Sequence, residues 1–206
     1  MGEEIMKKNL IVSILFTVVT TVMFGIIYPL VVTGISQVLF PKQANGELIK
    51  EGDKVVGSRL IGQPFTAPGY FWSRPSAAGM AGYDPTASGG SNYGPTNKML
   101  IDRVNASVQQ LQATNPGAPI PADLATASGS GLDPDISPAS AEFQVPRVAK
   151  ERGMSEQDVR ALVAKHTRGR QWGFLGEPRV NALELNLDLD ATHPMPQAAP
   201  QNTSQK

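Results

Sequence analysis

The chain contains no cysteine. Disulfide staples, thiolate metal centres and cysteine nucleophiles are therefore excluded, whichever compartment the protein occupies. Histidine is nearly as scarce: His166 and His193 are the two in the chain, and neither lies in an HExxH spacing. No EF-hand loop and no G-x-S-x-G elbow occurs. Net charge is lacking as well. The 18 basic residues balance 18 acidic ones, which leaves no basic footprint for nucleic acid. From Asn9 through Pro41 there is no charged residue at all. What the chain does have is 20 Gly and 17 Pro, a composition that favours short elements joined by defined turns.

The charge-free stretch opens with Leu10 to Tyr28, LIVSILFTVVTTVMFGIIY, whose only polar side chains are Ser13, Thr17, Thr20 and Thr21. About 20 apolar residues in a helix cross a hydrocarbon core of ~30 Å. Hydroxyls are tolerated there because they bond back to a carbonyl of the preceding turn. The apolar run continues to Pro41, and as one helix it would reach roughly 50 Å, beyond the bilayer core. Pro29 removes one helical hydrogen bond and crowds the preceding turn, so a kink is expected there. A cleaved signal peptide would need a shorter apolar core and a small-residue site, whereas the first alanine is Ala44. A retained anchor follows. Lys7 and Lys8 abut the span on a short tail, which predicts the amino end in the cytoplasm and the remaining mass outside. Lys42, Lys50, Lys54 and Arg59 lie beyond the span, but long domains translocate largely regardless of charge. The expected organisation is a tail over 1–8, the transmembrane helix with its kinked extension over 9–40, an extracytoplasmic α+β domain over 41–190, and a disordered tail over 191–206.

Within the domain, Lys54 to Gly62 reads as a strand, and Tyr70 to Ser73 as a second short one. Pro75 to Gly94 is rich in Gly, Ser and Ala, yet Met80, Tyr83 and Tyr93 predict an ordered loop packed on a surface. Pro95 suits the first turn of a helix that carries Leu100, Val104, Val108 and Leu111 on one stripe and stops before Asn115. Ser137-Pro138 opens a second helix, expected to break or kink at Pro146. Ser155 with Asp158 resembles a capping box for a third, whose buried face is Val159, Leu162 and Val163. Val180 to Asp190 places Leu183, Leu185, Leu187 and Leu189 in strict alternation with polar residues, the pattern of a strand. The fold class is thus α+β, one N-terminal transmembrane helix followed by a small mixed domain.

Catalytic chemistry is hard to assemble from these residues. Asp133 and Asp135 in LDPDI read as turn residues bonding local backbone, not as an acid/base pair. His166 falls near a helix end, where imidazole meets terminal carbonyls. Gly89 to Thr96, GGSNYGPT, approaches a phosphate loop, but Pro95 stands where the lysine should be and no buried strand precedes it. Asn105 and Asn202 fit the three-residue glycosylation pattern, which recurs by chance.

Six segments, in order, resemble the Kdp potassium-transporting ATPase C-subunit family. They are GIIYPLVVTG, GSRLIGQPF, YFWSRPSA, GSNYGPTN, TASGSGLDPDISPASAEFQVPRVAKERG and GFLGEPRVNALELNLDLD. The chain departs from that family's pattern at Asp135, where histidine is expected, so no role is carried over to it. The resemblance implies an inner-membrane complex with a channel-like K⁺-translocating subunit and a P-type ATPase subunit as partners. This chain would be a non-catalytic accessory subunit that supports assembly and acts as a catalytic chaperone favouring ATP binding by the pump subunit. No intrinsic cofactor is implied; ATP and K⁺ belong to the complex. Consistently, the D-K-T-G phosphorylation motif is absent, and a lone span without an intramembrane ionisable residue makes no ion path. Gln63, in LIGQ, is the one position likened to a nucleotide-binding signature. Thr17, Thr21, Gly25 and Pro29 on the helix, with Trp72, Arg74 and Pro75 in the domain, are the expected partner contacts. The alternative is a membrane-anchored extracytoplasmic nucleotide- or ligand-binding module.

Overall fold

The computed structural model describes residues 2–195 and divides the chain into two units, Met1–Leu48 and Ile49–Lys206. In the first unit, α1 (Gly2–Thr20), a π-helical segment (Thr21–Ile27) and α2 (Tyr28–Leu39) form one helix of 38 residues. At 1.5 Å per residue it extends ~57 Å, with no residue of its most apolar window buried. The hydroxyls of Ser13 and Thr20 donate to the carbonyls of Asn9 and Phe16, both at 2.8 Å. At Pro29, where a kink is expected, the helix stays continuous but changes to π turns just ahead of the proline. Backbone angles stay helical at Ile27 and Tyr28, and the Tyr28 N–H reaches back five residues to the Met23 carbonyl. The wider π turns insert one residue ahead of Pro29, which relieves the clash between its ring and the preceding turn. A four-residue helix, α3 (Pro41–Ala44), follows.

A two-stranded sheet of β1 (Leu48–Glu51) and β2 (Lys54–Ser58) comes next, all but Leu48 of it in the second unit. β2 occupies the first part of the expected strand. Helix α4 (Lys98–Thr114) starts three residues later than Pro95 suggested, because the Asn97 side chain accepts from the Met99 N–H and caps it there. A short α5 (Ala122–Ala125) precedes β3 (Asp135–Ile136). Helix α6 (Pro138–Arg152) runs unbroken through Pro146, and Gly153 in the left-handed region ends it. Ser137 caps α6, and Ser155 caps α7 (Glu156–His166), as the sequence predicts. β4 (Thr167–Arg168) and β5 (Arg179–Asn181) complete an antiparallel sheet in the order β3–β5–β4, with Ile136 and Thr167 both opposite Val180.

The segment read as the clearest strand is a helix. After the short β5, α8 spans Ala182–Thr192. Asn181 caps it by accepting from the Glu184 N–H at 3.0 Å. Beneath the alternation lies a second periodicity: Ala182, Leu185, Asn186 and Leu189 recur at helical spacing and are all buried. Leu187, which a strand would bury beside Leu185, is only half-buried. A disordered tail is expected from residue 191, but α8 continues to Thr192; residues 196–206 of that expected tail lie outside the described residues.

Helices α6, α7 and α8 close over the sheet around one core that includes Phe71, Ile136, Val145, Val148, Val159, Val180, Leu185 and Leu189. A smaller cluster of Leu111, Leu124 and Phe143 takes Trp72 and Ile120 against its edge. The Gly/Ser-rich loop is ordered, as its aromatics predict. The Tyr83 hydroxyl donates to the Arg74 carbonyl at 2.6 Å, Ser76 Oγ donates to the Gly131 carbonyl at 2.6 Å, and the Gly89 N–H donates to Ser130 O at 2.8 Å. Gly131 cannot be anything larger: its φ is +67°, and a Cβ there would lie 2.8 Å from the Gly89 carbonyl.

Candidate functional site

The candidate site is the stretch 67–76, which crosses the middle of the domain and holds Trp72, Arg74 and Pro75. Its Tyr70–Ser73 portion is no strand. Its backbone is satisfied by side chains from helices instead. Asn186, on α8, accepts from the Phe71 N–H at 2.8 Å and donates to the Phe71 carbonyl at 2.9 Å. Gln144, on α6, does the same for Trp72, at 2.7 and 3.1 Å. One turn further along α6, Arg147 donates to the carbonyls of Pro68 and Tyr70 and to Gln144 Oε1. Arg152 Nε donates to Gly69 O at 2.6 Å while its Nη2 pairs with Asp190 at 2.9 Å. All four polar side chains are buried. Such groups are tolerated in a core when hydrogen-bonded, and here the bonds to the backbone of 68–72 stand in for those that a neighbouring strand would supply, while Arg147 Nε is left without a partner.

The electrostatics follow from burial. The acceptors of Arg147 are neutral, and its guanidinium stacks 3.8 Å from the Trp72 ring centroid. Burial pushes its pKa down to about 10. Tyr70 donates to Asp190 at 2.9 Å, and burial together with that carboxylate raises its pKa. Burial lifts Tyr83 to about 12. Also on α8, Asp188 accepts from Lys165 and meets His166, both at 2.7 Å, and these contacts hold its carboxyl below the ordinary range. His166 therefore faces a carboxylate and not the terminal carbonyls expected of it.

Trp72, Arg74 and Pro75 lie together, and each lines a surface cleft. One cleft of about 230 Å³ sits between Phe65, Trp72, Pro75, Leu111 and Leu124. Another borders Arg74, Pro75 and Tyr83. Trp72 is half-buried, with its indole N–H on the Ala67 carbonyl at 3.1 Å. Arg74 pairs with Asp133 at 2.9 Å. Asp133 also accepts from the Asp135 N–H at 3.1 Å, the turn geometry read from LDPDI, while Asp135 pairs with Arg179 at 3.0 Å. Burial raises the Asp135 pKa in spite of that arginine.

Gln63 lies apart from this group. Its Nε2 donates to the Val56 carbonyl at 2.9 Å and packs against Gly57, tying the end of β2 to the following turn. The Gly89–Thr96 loop is tied at its start, where the Gly89 N–H and the neighbouring Ser88 hydroxyl both donate to the Ser130 carbonyl. It meets a helix whose N-terminus is already capped by Asn97, and the nearby Lys98 is paired with Asp102 at 2.6 Å. In the helical unit, Thr17, Thr21, Gly25 and Pro29 recur every four residues through the π segment, all exposed, with a Cβ at Gly25 falling 3.8 Å from the Thr21 methyl. The four clasping residues Gln144, Arg147, Arg152 and Asn186 escaped sequence reasoning. The available signal was polar side chains recurring at core positions of otherwise apolar helix faces.

A family model described as K⁺-transporting ATPase, c chain, matches residues 10–191. A protein of Koribacter versatilis named potassium-transporting ATPase KdpC subunit is 64% identical over 191 residues, which is 93% of this chain and 98% of that protein. Proteins of the same name from Methylococcus capsulatus and Caulobacter vibrioides are 55% and 59% identical. Their alignments cover 87% and 84% of this chain and 95% and 88% of their own lengths.

Proposed function

The chain belongs to the K⁺-transporting ATPase C-chain family, and on that premise we propose that it is the accessory subunit that holds the transporter together and raises ATP binding by the pump subunit. The observation that carries this reading is the extent of the match: it includes both the apolar helix and the whole clasped domain, so the two units belong to one functional part. The helix Gly2–Leu39 is the anchor, its amino end on the cytoplasmic side of the inner membrane and the domain in the periplasm, by the position of Lys7 and Lys8. Thr17, Thr21, Gly25 and Pro29 give the helix a face of small and hydroxyl side chains for close packing against partner helices. The partners are a channel-like K⁺-translocating subunit and a P-type ATPase subunit. Since the periplasm holds no standing ATP pool, the effect on nucleotide binding is transmitted through those subunits, with Gln63 serving the fold of the β2 turn.

The test compares the whole transporter with and without this chain. Loss of the chain is expected to lower recovery of the assembly and to raise the ATP concentration needed for half-maximal K⁺-stimulated hydrolysis. Intact assembly with unchanged ATP dependence would refute the proposal.

A further inference from the structure

The loop between β4 and β5 leaves the domain as a finger. Gln171 and Leu175 close it with two backbone hydrogen bonds, at 2.8 and 3.0 Å, and Arg170 pairs with Glu177 below them at 2.7 Å. The reversal at the tip is made by Trp172, Gly173 and Phe174. Trp172 has φ of +51° and Gly173 of +84°. A bulky side chain in the left-handed region is a strained outlier, a feature that concentrates at functional sites. The domain's own core gives this strain no explanation, for Trp172 is 85% exposed, Phe174 68% and Leu175 42%.

We propose that this fingertip is the domain's anchor in an uncharged apolar pocket on another subunit of the transporter, with Trp172 as the inserted side chain. The inference rests on the accessory-subunit reading above. Charge argues for such an occupant. The three arginines at the base of the finger, Arg168, Arg170 and Arg179, are paired with Glu184, Glu177 and Asp135. The tip itself is uncharged, without the cationic face with which interfacial segments grip anionic lipid. Area argues against a second copy of this chain. The exposed parts of the two aromatics and Leu175 amount to roughly 400 Å², about half of the ~800 Å² that each partner buries in a stable specific interface. The finger thus suits a hot spot within a larger contact to which the anchoring helix also contributes, and tryptophan and arginine are the residues enriched at such spots.

The experiment uses the complete transporter, purified in mild detergent through a tag on this chain. Trp172→Ala combined with Phe174→Ala is expected to leave the melting temperature of the isolated chain within about 3 °C, since neither side chain is in the core. It should weaken retention of the partner subunits by at least ~30-fold, the loss a hot-spot residue carries. Trp172→Phe should retain most of the binding. Equal retention by the double variant and the wild type would overturn the proposal while leaving the accessory-subunit reading intact. Failure of the wild type to retain any partner would overturn both. A third arm places the chain in phosphatidylcholine vesicles with brominated acyl chains. Quenching of tryptophan emission that disappears in Trp172→Phe would put the fingertip in lipid and overturn the proposal in favour of the bilayer.

Discussion

Replacing Asn186 by alanine tests the clasp most directly. The Asn186 amide accepts from the Phe71 N–H and donates to the Phe71 carbonyl at 2.8 and 2.9 Å, and it is 1% exposed. Phe71 itself is fully buried, so water cannot replace either bond without opening the core. Each buried backbone group left unpaired costs about 1–3 kcal/mol, which puts the loss near ~4 kcal/mol for the pair. For a domain of this size, 1 kcal/mol corresponds to roughly 2–4 °C of melting temperature. Thermal unfolding of the full chain in detergent, followed by circular dichroism, should therefore fall by roughly 8–16 °C. Asn186→Asp should do no better than alanine. It keeps an acceptor for the Phe71 N–H, but it sets a carboxylate against the Phe71 carbonyl, and neither of the two Asn186 bonds is to a cation. A fall under about 3 °C for Asn186→Ala, or a near-native Asn186→Asp, would mean that the 67–72 segment is held by its apolar contacts alone and that the clasp is incidental.

Three further outcomes follow from the same packing. Leu185→Ala should cost about 2–5 kcal/mol and Leu187→Ala well under half of that, because the helical phase of α8 buries the first and half-exposes the second; equal costs in denaturant titration would restore the strand. Tyr83→Phe removes the hydroxyl bond to the Arg74 carbonyl and should cost about 1–2 kcal/mol, read as a lower denaturation midpoint; an unchanged midpoint would leave the ordering of the 75–94 loop unexplained. The Asp188 carboxyl is held below its ordinary range by Lys165 and His166, so the fold favours its ionised form. That contribution is present above the unfolded-state pKa of ~3.9 and is lost as the pH falls through the lower native value. The stability gap between wild type and Asp188→Asn should accordingly be open at neutral pH and close in acid, and a gap that widens in acid would reverse the sign of the argument.

The parts of this fold legible in the sequence are those written in local signals. The apolar span, the Ser137 and Ser155 caps, the apolar stripe of α4 and the turn at Asp133 each depend on residues within a few positions of one another, and each is found in the structure. The α8 segment misled because two periodicities coexist in it. Leucine at every second position mimics a strand, and the buried helical set hides an asparagine among its apolar members. Asn181 followed three residues later by Glu184 was a capping signal that favoured the helix. The clasp was illegible for a different reason. Gln144 and Asn186 act on backbone groups 72 and 115 residues away, and no local pattern marks an amide that will complete a strand-like ladder. Of the candidate contact residues, Pro75 shares one cleft with Trp72 and another with Arg74, whereas no local sequence signal marked the exposed aromatics of the 171–175 finger, whose left-handed backbone at Trp172 is a feature of the structure.

On the proposal that this helix is the membrane anchor, the widened turns between Thr21 and Ile27 have a further consequence. Proline brings no amide hydrogen to the ladder, so upstream of Pro29 at least one peptide oxygen is left without a donor from its own helix. Hydrocarbon cannot supply one, and an orphan oxygen in that medium is several kilocalories out of balance. For a helix held in lipid, water or a hydroxyl has to meet that oxygen, so on this proposal the side of the anchor that bears it turns toward protein and away from hydrocarbon.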